Sequence, residues 1–427
     1  MSTSVPGCPH NVNDVDLFDG ATQEDWYPTY DLLRTEAPVW QMPGTTTYVL
    51  TRFADVSHVL RRTDLFGRGS GASAPAGTIR RKMVDLYAER GWPRLMPLAV
   101  DPPVHRKYRE LVDPFFSVQG AEVRRPMITG LVNQLLDGLT PTGRCEYVRE
   151  FALPLPVQVI TIMLGFRLDD IPQLKTWSEA WVLPFRGGLS DDEELYVAEQ
   201  GIAFQHHIHA TIAEKRADPD DSVISFLANE ARFDGQRALT DAEIIGMADH
   251  LYIGGNETTT FALTSGLWLL LSRPDVHAQL LADRSKIRNF VEEALRMESP
   301  TMGLNRLVLA DTSIAGVAIP KGATVHLRYA AANRDPDVFT CPADLDIERA
   351  NANRHVAFAV GETHCPGAGL SRLEQNIALD LVLDRLPKLR FTPERNDFTH
   401  HRNFTLRAMK ELWIDYDSAT ASAAAAV

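Results

Sequence analysis

Phe358-Ala359-Val360-Gly361-Glu362-Thr363-His364-Cys365-Pro366-Gly367-Ala368-Gly369-Leu370-Ser371-Arg372 sets one thiol between two glycine turns, directly ahead of a segment with helical spacing. Leu370, Leu373, Ile377, Leu379, Leu381, Val382 and Leu386 recur close to the helical period, so a helix is expected over 368–386. Pro366 suits the first helical position, where its fixed φ fits and its missing N–H costs nothing. A cysteine placed there points its sulfur at unpaired backbone N–H groups and the positive end of the helix dipole. Both lower its pKa and favour the thiolate, the form that binds iron. The loop reads as one that presents a thiolate to a metal ion.

Composition narrows what surrounds this loop. The 427 residues carry a net charge of −13, which argues against a general nucleic-acid binder. Cys8, Cys145, Cys341 and Cys365 are far apart and form no CxxC pair, so neither a zinc site nor a disulfide framework is expected. No run reaches the ~18 apolar residues of a membrane span. A cytoplasmic protein is expected. With 44% hydrophobic residues the chain can bury a large core and still enclose a prosthetic group.

Thr240 followed by Glu243 is a capping-box signature, and an apolar helical pattern runs from there to Ser272, with Pro274 ending it. Such a helix is roughly 45–50 Å long. Its middle reads Gly254-Gly255-Asn256-Glu257-Thr258-Thr259-Thr260, poor helix formers, with each Gly costing about 1 kcal/mol against Ala. A local rule broken at the centre of a buried helix points to function. Glycines let a ligand approach the backbone, and hydroxyls beside a carboxylate can relay protons. Two further pairs share helix faces: Glu293 with Arg296, and His105 with Arg109 behind an expected Asp101 cap.

Together, in this order, these stretches resemble the cytochrome P450 superfamily, soluble bacterial branch, from about Asp16 to Asp417. The resemblance implies a mainly α fold with small β-sheets, one large domain over 16–417 with a long central oxygen-binding helix. Flanking it are a flexible N-terminus over 1–15 and an Ala/Ser-rich tail over 418–427. It implies haem b bound through Cys365, inside a loop framed by Phe358, Gly361 and Gly367. Gly254, Gly255, Glu257 and Thr258 match the oxygen-activation motif, Thr258 bonding dioxygen and Glu257 helping to deliver protons. His105, Arg109 and Arg306 match propionate-binding positions, and Glu293, Arg296 and Arg349 a structural triad. Substrate walls are expected from Leu95, Met96, Leu98, Met247, Leu251, Met302, Leu304 and Phe404.

The implied activity is haem-thiolate monooxygenation of a small apolar terpenoid, steroid or aromatic compound by a monomer, hydroxylating, dealkylating or epoxidising it. Electrons would come from a separate ferredoxin and NAD(P)H-dependent reductase. A peroxide-driven peroxygenase and a non-catalytic haem sensor or carrier are the alternatives. Two positions depart from the family pattern. Thr363 stands where His or Arg usually reaches a propionate, with His355 as a candidate substitute, and Ala359 replaces a common glycine.

Overall fold

The computed structural model describes residues 11–69, 78–186 and 188–418. Seven helices matter for the site: α1 (Val104–Phe116), α2 (Pro154–Leu164), α3 (Ile171–Val182), α4 (Asp191–Ala217), α5 (Asp241–Leu271), α6 (Ile287–Met297) and α7 (Ala368–Arg385). A five-stranded sheet stands beside them, built from β1 (Val39–Gln41), β2 (Thr47–Leu50), β3 (Phe66–Gly67), β4 (Gly303–Val308) and β5 (Thr324–Arg328) in the order β1-β2-β5-β4-β3. Val325 of β5 lies opposite Tyr48 of the parallel β2 and opposite Arg306 of the antiparallel β4. Leu304 and Arg306 therefore share one face of β4. Among the described residues, no helix is long and apolar enough to cross a membrane.

α5 begins with the expected capping box: Glu243 N–H donates to Thr240 Oγ1 at 3.3 Å, and Thr240 N–H donates to Glu243 Oε2 at 2.8 Å. The helix runs unbroken through Gly254-Gly255 despite their poor propensity. Packing rather than propensity carries it, since buried side chains recur on nearly every turn. A methyl group on Gly255 would sit 2.8 Å from Ile160 of α2, so this glycine lets the two helices close on each other. On Gly254 it would meet nothing within 4 Å.

Glu293, Arg296 and Arg349 meet in the interior, all three buried. Glu293 takes Arg296 Nε at 2.6 Å, and Arg349 Nε lies 2.9 Å from the same oxygen, an ion pair whose angle does not make it a hydrogen bond. Arg296 also donates to the carbonyls of Asn333, Pro342 and Asp344, so its buried charge is surrounded by acceptors.

Three local expectations are corrected. α7 starts at Ala368 with Gly367 as its cap, so Pro366 lies before the helix and not at its first position. The Asp101 side chain caps no helix: its carboxylate accepts the Arg68 N–H at 2.6 Å, and α1 starts at Val104 behind Pro103. At the chain start, Val12–Asp14 forms a turn, and Val15 is buried with Leu17, Trp26 and Tyr30. Packed residues thus include Val12 and Val15, within the stretch 1–15 expected to flank the domain. Residues 1–10 and 419–427 lie outside the described part.

Candidate active site

A cavity of about 290 Å³ opens between α5, the end of α3, β4 and the Cys365 loop. His250, Gly254 and Thr258 lie four residues apart on α5 and line it along one helix face. Cys365 lines it too, with Phe358, Ala359 and Gly367. The loop is shaped by residues in the left-handed region: Gly361 at φ 78°, where a side chain would press on the Leu60 carbonyl, and Ala359 at φ 55°. Cys365 N–H closes the turn onto Phe358 O at 2.9 Å. The Arg372 guanidinium lies 4.5 Å above the Phe358 ring. Burial pushes the Cys365 thiol up, and the Gly367 N–H, Arg109, Arg372 and Arg68 oppose this only in part. The expected lowering is therefore overturned for the protein alone. Two residues separate Cys365 from the start of α7, and desolvation outweighs the N–H groups.

Cations gather around Arg68, which with Arg109 lines one end of the cavity; His105 and Arg306, which interact electrostatically with Arg68, do not line it. His105 is buried, and its Nε2 has no hydrogen-bond partner. Burial and then Arg68 and Arg109 press its pKa down to about 4. Arg68 itself is pulled down to about 10 by burial and by Arg306. Arg109 donates to Asp113 at 2.6 Å and to the His364 carbonyl at 2.7 Å. Arg306 donates to Asn305 O at 2.8 Å and to Thr363 Oγ1 at 3.3 Å. Cations that crowd one another beside an unpartnered ring nitrogen suit a dianionic group, and the two carboxylates of haem b fit that demand. Sequence reasoning missed Arg68, which lines the cavity. Nothing in its local pattern separates it from other arginines.

His355 does not take the expected role. Its Nε2 lies 3.0 Å from Glu292 Oε2, and its Nδ1 accepts the Ala357 N–H at 3.2 Å. Arg372 holds the same Glu292 at 2.6 Å, so this cluster braces the cysteine loop, and His355 does not line the cavity. The exposed cations of α1 are also engaged, Arg106 with Glu362 and Lys107 with Asp234.

Along α5, Thr258 Oγ1 donates to the Gly254 carbonyl at 3.0 Å. Glu257 lines the cavity but turns its carboxylate toward α3, accepting from Lys175 Nζ and, at 3.0 Å, from Ser178 Oγ. Glu374 on α7 was also missed. It lines the cavity with a buried, unpartnered Oε2, and burial drives its pKa well up.

Of the expected substrate walls, Leu98, Leu251 and Leu304 line the cavity, while Leu95, Met96, Met247, Met302 and Phe404 do not. Met247 lies in the main core. Met302 faces Tyr30, and Phe404 stacks on Phe18 beside Arg328. Leu95 is 39% exposed. In their place stand Trp181 and Phe185, His250, Thr301, Thr405 and Leu406. A bridge between Thr301 and Leu406 brings the last three together across a hundred residues, a pairing that local sequence does not carry.

Comparison with known proteins identifies the family. The family model described as Cytochrome P450 matches residues 199–406. The chain is 32% identical over 400 residues to the Vitamin D(3) 25-hydroxylase of Pseudonocardia autotrophica, covering 93% of this chain and 95% of that one. It is 31% identical to the Steroid C26-monooxygenase of Mycobacterium tuberculosis, covering 89% and 92%. The crystal structure of P450BioI in complex with acyl carrier protein ligated to hexadec-9Z-enoic acid superposes with a TM-score of 0.84 at 28% identity, covering 93% and 99%. The chain therefore belongs to the cytochrome P450 family and is a P450 monooxygenase that uses haem b.

Proposed function

We propose that this protein uses O2 to place one oxygen atom on a small, mainly apolar, steroid-like molecule, with haem b held by Cys365. The observation that carries the reading is that Cys365, Thr258 and Glu257 line one cavity whose other walls are mostly apolar. Haem supplies the redox-active iron when bound. Cys365 offers it sulfur as thiolate, and the cation at the metal favours that form despite burial. Arg68, His105, Arg109 and Arg306 orient the propionates. Thr258 places a hydroxyl beside Gly254, where bare backbone leaves room for a small molecule. Glu257 holds a carboxylate that Lys175 links toward α3, a route for protons from outside the cavity.

The intact pair of Glu257 and Thr258 favours the O2 route over a peroxide-driven one, since peroxide already carries the protons that the pair would deliver. The relatives named for vitamin D3 and steroids support the substrate class. Electrons come, on this reading, from a ferredoxin-type donor and an NAD(P)H-dependent reductase, in a cytoplasmic monomer that binds no nucleic acid. Titration of the holoenzyme with steroids, read by the iron spin state and by NAD(P)H consumed with such a donor, tests it. Cys365→Ser should abolish the thiolate-type band of the reduced carbon monoxide complex. A wild-type spectrum showing imidazole ligation contradicts the assignment.

A further inference from the structure

α5 presents one polar ring to the cavity that the reading above leaves without work. His250 lines the cavity among Leu98, Val182 and Ile253. Its Nδ1 is buried without a partner. Burial, then Arg68 and Arg94, press its pKa down to about 4, so it stands as neutral imidazole, with one donor and one acceptor nitrogen. A bare polar group in an apolar wall is costly unless a ligand meets it.

The neighbouring residues hold this ring beside a flat wall. Asp249 accepts the Trp181 indole N–H at 3.1 Å, and the Trp181 ring lies 6.4 Å from His250, tilted by 33°. Phe185 meets Trp181 edge-on at 5.7 Å. His250 thus sits next to an aromatic surface suited to an apolar ring system. Along the helix it precedes Thr258 by eight residues, about 12 Å.

We propose that His250 is a specificity-determining residue that receives a hydroxyl group of the substrate, holding it so that oxidation falls on a carbon far from that hydroxyl. A hydroxyl both donates and accepts, so it matches neutral imidazole whichever nitrogen carries the proton. The helix spacing sets the separation between the hydroxyl and the oxidised carbon on the order of 10 Å. The substrate class narrows accordingly to elongated apolar alcohols. This rests on the cavity being the substrate site of a haem-thiolate oxygenase.

Matched probes test it in the holoenzyme. Androstane is compared with androstanol, and dodecane with dodecanol, by spin-state titration of wild type, His250→Phe and His250→Asn. Wild type should bind the alcohol of at least one pair about ten-fold more tightly or better. That preference should collapse to about two-fold or less in His250→Phe and survive in part in His250→Asn. Absence of a preference in both wild-type pairs overturns the proposal, as does an undiminished preference in His250→Phe. The reduced carbon monoxide spectrum of the same samples reports the thiolate separately, so failure of the haem reading shows there instead.

Discussion

Arg306 donates from Nη2 to the hydroxyl of Thr363 at 3.3 Å, across 57 residues of sequence. Thr363 stands where the family pattern usually places His or Arg, and the threonine brings no charge of its own. It acts by orienting a guanidinium. Arg68, on the neighbouring strand's exit, supplies the extra positive charge.

The clamp should be unequal in its parts. Arg306→Leu and Arg68→Leu each remove a charged donor and should speed haem loss about ten-fold or more. Thr363→Val removes only a neutral hydrogen bond and should change it by about three-fold or less. Transfer of haem to an excess of apomyoglobin measures the rates. Equal losses in all three variants would show that Thr363 itself meets the propionate.

Thr258→Ala should leave the haem spectrum and substrate affinity in place and lower the share of electrons that ends in product, with peroxide rising to match. The residue lies on the cavity face and its hydroxyl bonds within its own helix, to the Gly254 carbonyl, so the fold loses little. Product and peroxide measured per NAD(P)H consumed give the result, and unchanged coupling contradicts the assigned role.

Lys175→Met leaves the Glu257 carboxylate in a mostly buried position, 10% exposed, without its cation. The variant should lose about 2–3 kcal/mol, below the cost of stranding a wholly buried charge. Adding Glu257→Gln should recover much of it, because no bare charge then remains. Denaturant midpoints of the two single variants and the double variant close the cycle.

Acid should destabilise the protein in a defined window. Burial raises the pKa of Glu243 and Glu292, but Arg237 and Tyr108 for the first, and His355 and Arg372 for the second, hold each down to about 2. The unfolded chain takes up these protons near pH 4.5 and the native one only near 2. Their contribution is therefore full above pH 4.5 and is lost as pH falls toward 2. Glu243→Gln, far from the cysteine loop, should flatten the acid limb of the unfolding midpoint against pH. A limb parallel to wild type refutes this.

Ala359 holds φ at 55°, a left-handed conformation that costs a residue with a Cβ about 1–2 kcal/mol. Ala359→Gly should stabilise the loop by about 0.5–1 kcal/mol after the greater flexibility of unfolded glycine is subtracted. Calorimetry should show a higher melting temperature with the haem spectrum unchanged. A lower one means the methyl group packs usefully.

What could be read from sequence was local. The capping box of Thr240 and Glu243, the same-face ion pair of Glu293 and Arg296, and the cysteine loop each depend on residues a few positions apart. Misses fall where distant segments meet. His355 pairs with Glu292 from 63 residues away, and the Asp101 carboxylate is captured by the Arg68 N–H before it can cap a helix. Met302 and Phe404 carry side chains as apolar as the true cavity walls, and only the path of the backbone sends them to a separate core. Hydrophobicity alone cannot distinguish a wall from a filling.

The two motif glycines of the long helix divide their labour. Gly255 is pinned by Ile160, so any larger residue there must push two helices apart, whereas Gly254 faces open volume. Bulk added at position 254 shrinks the chamber without loosening the bundle. A substitution there reshapes the chamber while the frame stays as it is.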